Sequence, residues 1–295
     1  MSSSPRATAR LDDAFLDRLL DDLLNYESVR EVGLTGGEPF PRRARTLEVM
    51  KRITDSGRTV TCVTNGFWGI SLGAAERIFA ELVAVGLDSL TVSYDDFHAA
   101  FIKTERIRNV LDASRETDIR VILNMCVSRT NTSNHLIEAL GESVLGIQIT
   151  KFPVVPAGTG RDLPDAEFQR RPITDRMLKC PGLEVIYHYD GHVYPCCSPP
   201  IFDTNMTLGR IGEETYAATV DKLKLNALIG IMQREGFQWF INAIREVNPT
   251  APAAIATEVV SACELCSRIF GDEESIEMIR PQVLSYFQRS NATRV

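Results

Sequence analysis

The chain has 295 residues, 44% of them hydrophobic and 24% charged, and 39 acidic against 32 basic side chains give a net charge of −7. That is an ordinary globular composition, and its acidic balance argues against a broad nucleic-acid or membrane footprint. No apolar run reaches the roughly 18 residues that would cross a bilayer. The opening Met1-Ser2-Ser3-Ser4-Pro5-Arg6 lacks the apolar core of a signal peptide, so a cytoplasmic location is expected.

Helical and strand periodicities alternate up to about residue 152. Residues 11–25 space Leu11, Phe15, Leu19, Leu20, Leu23 and Leu24 as one apolar helix face. A strand follows at 32–35, a helix at 44–56 and a strand at 59–64 ending in Asn65-Gly66. Next come a helix at 74–85 and a strand at 89–93 ending in Tyr94-Asp95-Asp96. A helix at 99–117, a strand at 120–127, a helix at 135–142 and a strand at 146–152 complete the series. Five strands with helices between them predict a parallel α/β sheet with right-handed crossovers.

The next stretch is a connector with Pro153, Pro156, Gly158, Gly160, Pro164 and Pro172. Residues 183–189 and 192–194 around Asp190-Gly191 read as a β-hairpin. Helices are expected at 223–236 and 237–247, and the segment 258–269 carries the last cysteines. The expected organisation is an α/β unit over 1–155, a linker over 156–176 and a cysteine-bearing domain over 177–295.

Two constellations carry chemistry. In Val32-Gly33-Leu34-Thr35-Gly36-Gly37-Glu38-Pro39-Phe40, a buried strand runs into two glycines, an acid and a proline. The glycines let a ligand lie against main-chain groups, at the strand end where open α/β sheets bind ligands. The second constellation is the cysteine set. Cys62 and Cys126 lie in apolar strands and read as small buried hydrophobes. Cys180, Cys196, Cys197, Cys263 and Cys266 lie in turn-rich sequence, which in a reducing compartment suggests metal before disulfide. Four thiolates suit Zn²⁺ or an iron–sulfur cluster. Adjacent cysteines seldom ligate one ion together, so Cys196, fixed by Pro195 and the hairpin, is favoured and Cys197 is its alternative.

Thr35-Gly36-Gly37-Glu38-Pro39 resembles the Gly-Gly-Glu-Pro motif of radical S-adenosylmethionine (SAM) enzymes. In that family the motif follows the second strand of a partial (β/α)6 TIM-like barrel and holds the methionyl amino group of SAM. Asn65-Gly66, Ser93-Tyr94-Asp95, Asn124 and Pro156-Ala157-Gly158-Thr159-Gly160-Arg161 resemble the family's later strand ends. The resemblance implies that Gly36, Gly37, Glu38, Pro39, Asn65, Ser93, Asp95, Asn124 and Arg161 bind SAM. Asn65-Gly66 and Asp95-Asp96 also read as plain turn residues, and His98 as structural. Cys180, Gly191, Cys196 and Cys263-x2-Cys266 resemble the SPASM/Twitch extension. With no cysteine after Cys266, the match is to a Twitch-like domain with one auxiliary [4Fe-4S] cluster.

The family's Cys-x3-Cys-x2-Cys loop follows the first strand, and neither the loop nor that strand is present before Cys62. Ser2-Ser3-Ser4-Pro5 resembles the tail of that loop, so Met1 is expected to be internal to a longer protein. The competing expectation is a pseudoenzyme that has lost the radical machinery. The resemblance implies a peptide-modifying enzyme that uses a 5′-deoxyadenosyl radical in its full-length form, fed by an external electron donor. The chain as given is expected not to cleave SAM reductively. The alternatives are a peptide-binding module with a structural Zn or Fe–S site, and a small-molecule enzyme of cofactor biosynthesis from the same superfamily.

Overall fold

The protein is described by a computed structural model over residues 10–292; the expected loop remnant Ser2-Ser3-Ser4-Pro5 lies outside the described residues. The chain divides into two compact units. One is Leu16–Val154, and the other comprises Val155 onward with the stretch ending at Phe15.

The first unit contains most of α1 (Asp13–Leu23), then β1 (Glu31–Leu34), α2 (Arg43–Asp55), β2 (Thr59–Thr64), α3 (Leu72–Ala84) and β3 (Ser89–Ser93). After these come α4 (Asp96–Ala99), α5 (Thr104–Ser114), β4 (Arg120–Val127), α6 (Asn134–Leu140) and β5 (Gln148–Pro153). The five strands form one parallel sheet in the order β1-β2-β3-β4-β5, as the alternating periodicities predict. The register puts Leu34, Cys62, Leu90 and Val121 side by side, and one step on Thr64, Val92 and Leu123. Cys62, Leu90, Val92 and Leu123 are among the most deeply buried of these, and Val49, Met50 and Ile53 of α2 and Ile107, Val110 and Leu111 of α5 are buried as well. Side chains alternate across a strand, so the opposite face carries Thr61, Thr91, Ser93, Asn124 and Thr150, all half-buried. This sheet therefore has one apolar face and one mixed face, where Val63 and Ile122 flank Thr91 and the next row, Ser93, Asn124 and Thr150, is polar.

The helix expected over 99–117 is in fact two. The Asp95 carboxylate accepts the amides of Phe97 at 3.0 Å and His98 at 3.1 Å, starting α4 early. The chain then turns so that the Tyr94 hydroxyl pairs with Thr104 Oγ1 at 2.8 Å, at the start of α5.

The second unit holds β6 (Arg171–Pro172), β7 (Ile186–Tyr187), β8 (His192–Tyr194), β9 (Gly209–Arg210), α7 (Tyr216–Leu225), α8 (Ala227–Glu235) and α9 (Phe237–Val247). It continues with β10 (Glu258–Val259), α10 (Ala262–Phe270), α11 (Glu273–Met278) and α12 (Arg280–Ala292). β7 and β8 form the expected hairpin about Asp190-Gly191, and β9 extends it antiparallel. β6 pairs antiparallel with β10, Arg171 opposite Val259, so the expected linker contains a strand of this unit. Phe240 and Phe270 meet edge to face at 5.0 Å in a core with Ile229, Ile231, Ile244, Leu265 and Ile269.

The helix expected over 223–236 is divided at Asn226, whose Oδ1 accepts the Ile229 amide at 3.1 Å and so starts α8. At Gly236, φ is +78° and ψ −169°, a conformation that essentially only glycine adopts. A Cβ there would stand 2.3 Å from the Leu178 carbonyl oxygen. The segment 258–269 turns helical only from Ala262, because its start pairs as β10.

Candidate functional site

The turn after β1 is open on the side its glycines present. Gly36 has φ +114°, and a Cβ on Gly36 or Gly37 would meet no heavy atom within 4 Å. That leaves main-chain groups approachable by a ligand. Glu38 is directed inward, to the end of the neighbouring strand. Its Oε2 accepts the Asn65 amide at 2.7 Å, and its Oε1 accepts Thr64 Oγ1 at 2.7 Å and the Phe40 amide at 3.3 Å. Burial raises the carboxyl above its ordinary value, against the lowering pull of Asn65, Thr64, Phe40 and nearby His98. Three donors occupy three of the carboxylate's roughly four acceptor positions, which leaves room on Oε2 for one more donor such as an ammonium. Pro39 opens the 3₁₀ turn at Phe40–Arg42, and its carbonyl accepts Thr46 Oγ1 at 2.8 Å.

Asn65 is a turn residue as well as a strand end. Its Oδ1 accepts the Phe67 amide at 3.0 Å, so that oxygen closes a local turn. Trp68, buried between Phe40 and Phe79, donates Nε1–H to Thr64 Oγ1 at 3.1 Å and locks the hydroxyl that supports Glu38.

The Asp95 carboxylate is engaged within the protein. Asp95 is 1% exposed. Oδ1 caps α4 and meets His98 Nδ1 at 2.8 Å, while Oδ2 accepts the Cys126 amide at 2.9 Å. These bonds tie the end of β3 to β4 and orient His98. Asp96 does similar work one residue on, accepting both the amide and Oγ of Ser133 at 2.9 Å. Ser133 holds φ +55°, the one positive φ outside glycine among the described residues.

Ser93 and Asn124 are register partners in the polar row of the mixed sheet face, half-buried beside Thr150. Arg161 lies in the other unit, exposed and paired with Asp203 at 2.6 Å.

The cysteines fall into two groups. Cys62 and Cys126 are 1% and 5% exposed, and burial pushes both thiols up to about 12. Cys180, Cys196, Cys263 and Cys266 come from three separate segments and line one cavity of about 360 Å³, with Leu183, Ile201 and Phe237 among its walls. Cys196, Cys263 and Cys180 add to the rise of the Cys266 thiol. Burial is the larger cause in each case, raising the Cys180 and Cys266 thiols and pushing Cys196 up to about 12. Cys197 and Glu184 also line the cavity, and Cys197 is exposed. Burial of its sulfur and the Glu184 carboxylate push its thiol up to about 12. Cys263 and Cys266 lie in the first turns of α10, where helix amides favour negative charge. Among the described residues, no three His, Cys, Asp or Glu side chains gather tightly enough to clasp a single ion. Soft thiols around an apolar cavity fit an iron–sulfur group in donor type.

Sequence reasoning missed three supporting groups. Thr64 carries no signal beyond its place at a strand end. Glu184, next to the hairpin, gives none. Glu264 had a readable one, the capping-box spacing Ser261-x-x-Glu264 laid over Cys263-x2-Cys266.

No helix among the described residues is long and apolar enough to cross a membrane. No model of a known protein family matches the chain. Among solved structures, BtrN in complex with AdoMet and 2-DOIA aligns over 80% of each chain at 17% identity with a TM-score of 0.49. YydG of Bacillus subtilis (strain 168), a protein named for peptide biosynthesis, is 35% identical over 293 residues, covering 98% of this chain and 92% of that one. With that identity running through both units, the chain belongs to the family of YydG.

Proposed function

We propose that the protein is a radical SAM enzyme that modifies a peptide. The carrying observation is the Gly-Gly-Glu-Pro turn. Its open glycines and its half-buried, cross-braced Glu38 form the receiving end of an amino group at the C-terminal edge of a parallel sheet. The peptide substrate class rests on the relation to YydG.

In this reading Glu38 accepts the ammonium of SAM, with the Gly36-Gly37 main chain beside it. Pro39 starts the 3₁₀ turn that returns the Phe40 amide to Glu38. Ser93, Asn124 and the side-chain amide of Asn65 offer neutral hydrogen bonds, and Asp95 holds His98 in place. Bound SAM supplies hydrogen-atom abstraction, with electrons from an external donor; the protein's part is to bind, orient and exclude water. Cys180, Cys196, Cys263 and Cys266 hold an auxiliary [4Fe-4S] cluster in a Twitch-like domain. Four sulfurs ringing a cavity suit a group with several irons better than one Zn²⁺. Arg161 is paired with Asp203.

The 295 residues contain no Cys-x3-Cys-x2-Cys. That favours, as a second reading, a chain that in this form binds its ligands without cleaving SAM. Anaerobic reconstitution with iron, sulfide, dithionite and SAM tests both. A brown protein with about four irons and four sulfides per chain that binds SAM is expected under both readings, and the second adds that this chain releases no 5′-deoxyadenosine. Colourless zinc protein removes the cluster, and release of 5′-deoxyadenosine removes the second reading.

A further inference from the structure

We infer that Glu264 is the positioning residue of the cysteine site: its buried carboxylate fastens the helix carrying Cys263 and Cys266 to the arm of chain that leads to Cys180. The inference rests on the cluster reading above.

Glu264 is 2% exposed. A carboxylate so placed is tolerated only when it is paired and hydrogen-bonded. Oε1 accepts Arg170 Nε at 3.1 Å and Arg268 Nη2 at 2.5 Å, while Oε2 accepts the Val260 amide at 2.6 Å. The Glu264 amide in turn caps on Ser261 Oγ at 3.4 Å. In an ordinary capping box the acid returns to the N-cap amide. Here it reaches one residue further and gives its other oxygen to two guanidinium groups.

The partners decide what is fastened. Arg170 immediately precedes β6, and a single 3₁₀ turn, Asp175–Leu178, separates that strand from Cys180. Val260 immediately follows β10, the partner of β6, and leads into α10. Arg170 is itself braced by Asp165 at 2.7 Å. One carboxylate therefore joins the Cys180 arm to the start of the Cys263/Cys266 helix. Helical residues are about 100° apart around the axis, so a slip of one residue would swing a thiol out of the cavity.

Reconstituting wild type, Glu264→Gln, Arg170→Met and Arg170→Lys with iron and sulfide tests this. Iron and sulfide per chain and the rate of iron release to a chelator are measured beside urea midpoints. Ile231→Ala, which opens a cavity in α8 of the same unit, controls for stability alone. Glu264→Gln is expected to release iron about 10- to 100-fold faster than wild type. Arg170→Lys should fall between Arg170→Met and wild type, and Ile231→Ala should release iron at the wild-type rate. Wild-type release from Glu264→Gln, or equally fast release from Ile231→Ala, overturns the inference. If Glu264→Gln does not fold, Arg170→Met decides in its place, and wild-type release from it is equally fatal. A wild-type chain that takes up no iron and sulfide overturns the cluster reading and this inference with it, a result distinct from variants that merely match a loaded wild type.

Discussion

The carboxylate of Glu38 accepts the backbone amide of Asn65 at 2.7 Å, and that bond joins the turn after β1 to the turn after β2. Replacing Glu38 by Gln turns one oxygen into a donor facing another donor. The expected cost is about 1–3 kcal/mol of stability at neutral pH, read as a lower urea midpoint, together with loss of SAM binding by calorimetry.

The same carboxyl predicts a pH dependence. Its folded pKa lies above the ordinary 4.5. Between those two values the folded chain keeps a proton that the unfolded chain has released. This group's contribution is therefore full below 4.5 and lost as pH rises through the folded value. Ammonium binding runs the opposite way, strengthening as Glu38 ionises. Urea titrations and SAM calorimetry across this range should show opposite slopes, and both should flatten in Glu38→Gln.

Asp95→Asn should destabilise the first unit by about 1–3 kcal/mol, because either the Cys126 amide or the cap of α4 loses its acceptor. Asp95→Ala adds the loss of the cap, about 1 kcal/mol more. If Asp95 touched SAM instead, the loss would appear in affinity with little change in the urea midpoint.

Cys180→Ser, Cys196→Ser, Cys263→Ser and Cys266→Ser should each strip or deplete the reconstituted cluster, measured as iron, sulfide and visible absorption. Cys197→Ser should keep the full complement, since Cys197 is the exposed member of the adjacent pair. Retained iron in Cys196→Ser with loss in Cys197→Ser would reverse the assignment.

Gly236→Ala should cost about 1–3 kcal/mol from backbone strain alone, with overpacking against the Leu178 carbonyl adding to it. Because Leu178 lies two residues before Cys180, the variant should also load less iron, a change that thermal melts and iron assays read separately.

The sheet was legible because each strand run gives way to a helical period, and the parallel order follows from that alternation. The openness of the Glu38 turn was legible in its two glycines. The internal bonds of Asp95 were not, since an acid after a strand serves equally as ligand or cap, and the cap shows only in the early start of α4. α11 and α12 escaped because their sequences, such as Arg280–Ala292, show no clear apolar stripe. The pairing of Arg170 with Glu264 spans 94 residues, and no local pattern records it.

α10 sets Leu265, Ile269 and Phe270 into the core at 0%, 0% and 3% exposure, directly beneath its two cysteines. The helix is thus moored by oil along its underside and by charge at its tip, neither of which owes anything to iron. A zinc finger has to be folded by its metal. If these cysteines hold the proposed cluster, core packing and Glu264 would hold α10 alongside the metal, and stripping the iron should leave the helix folded.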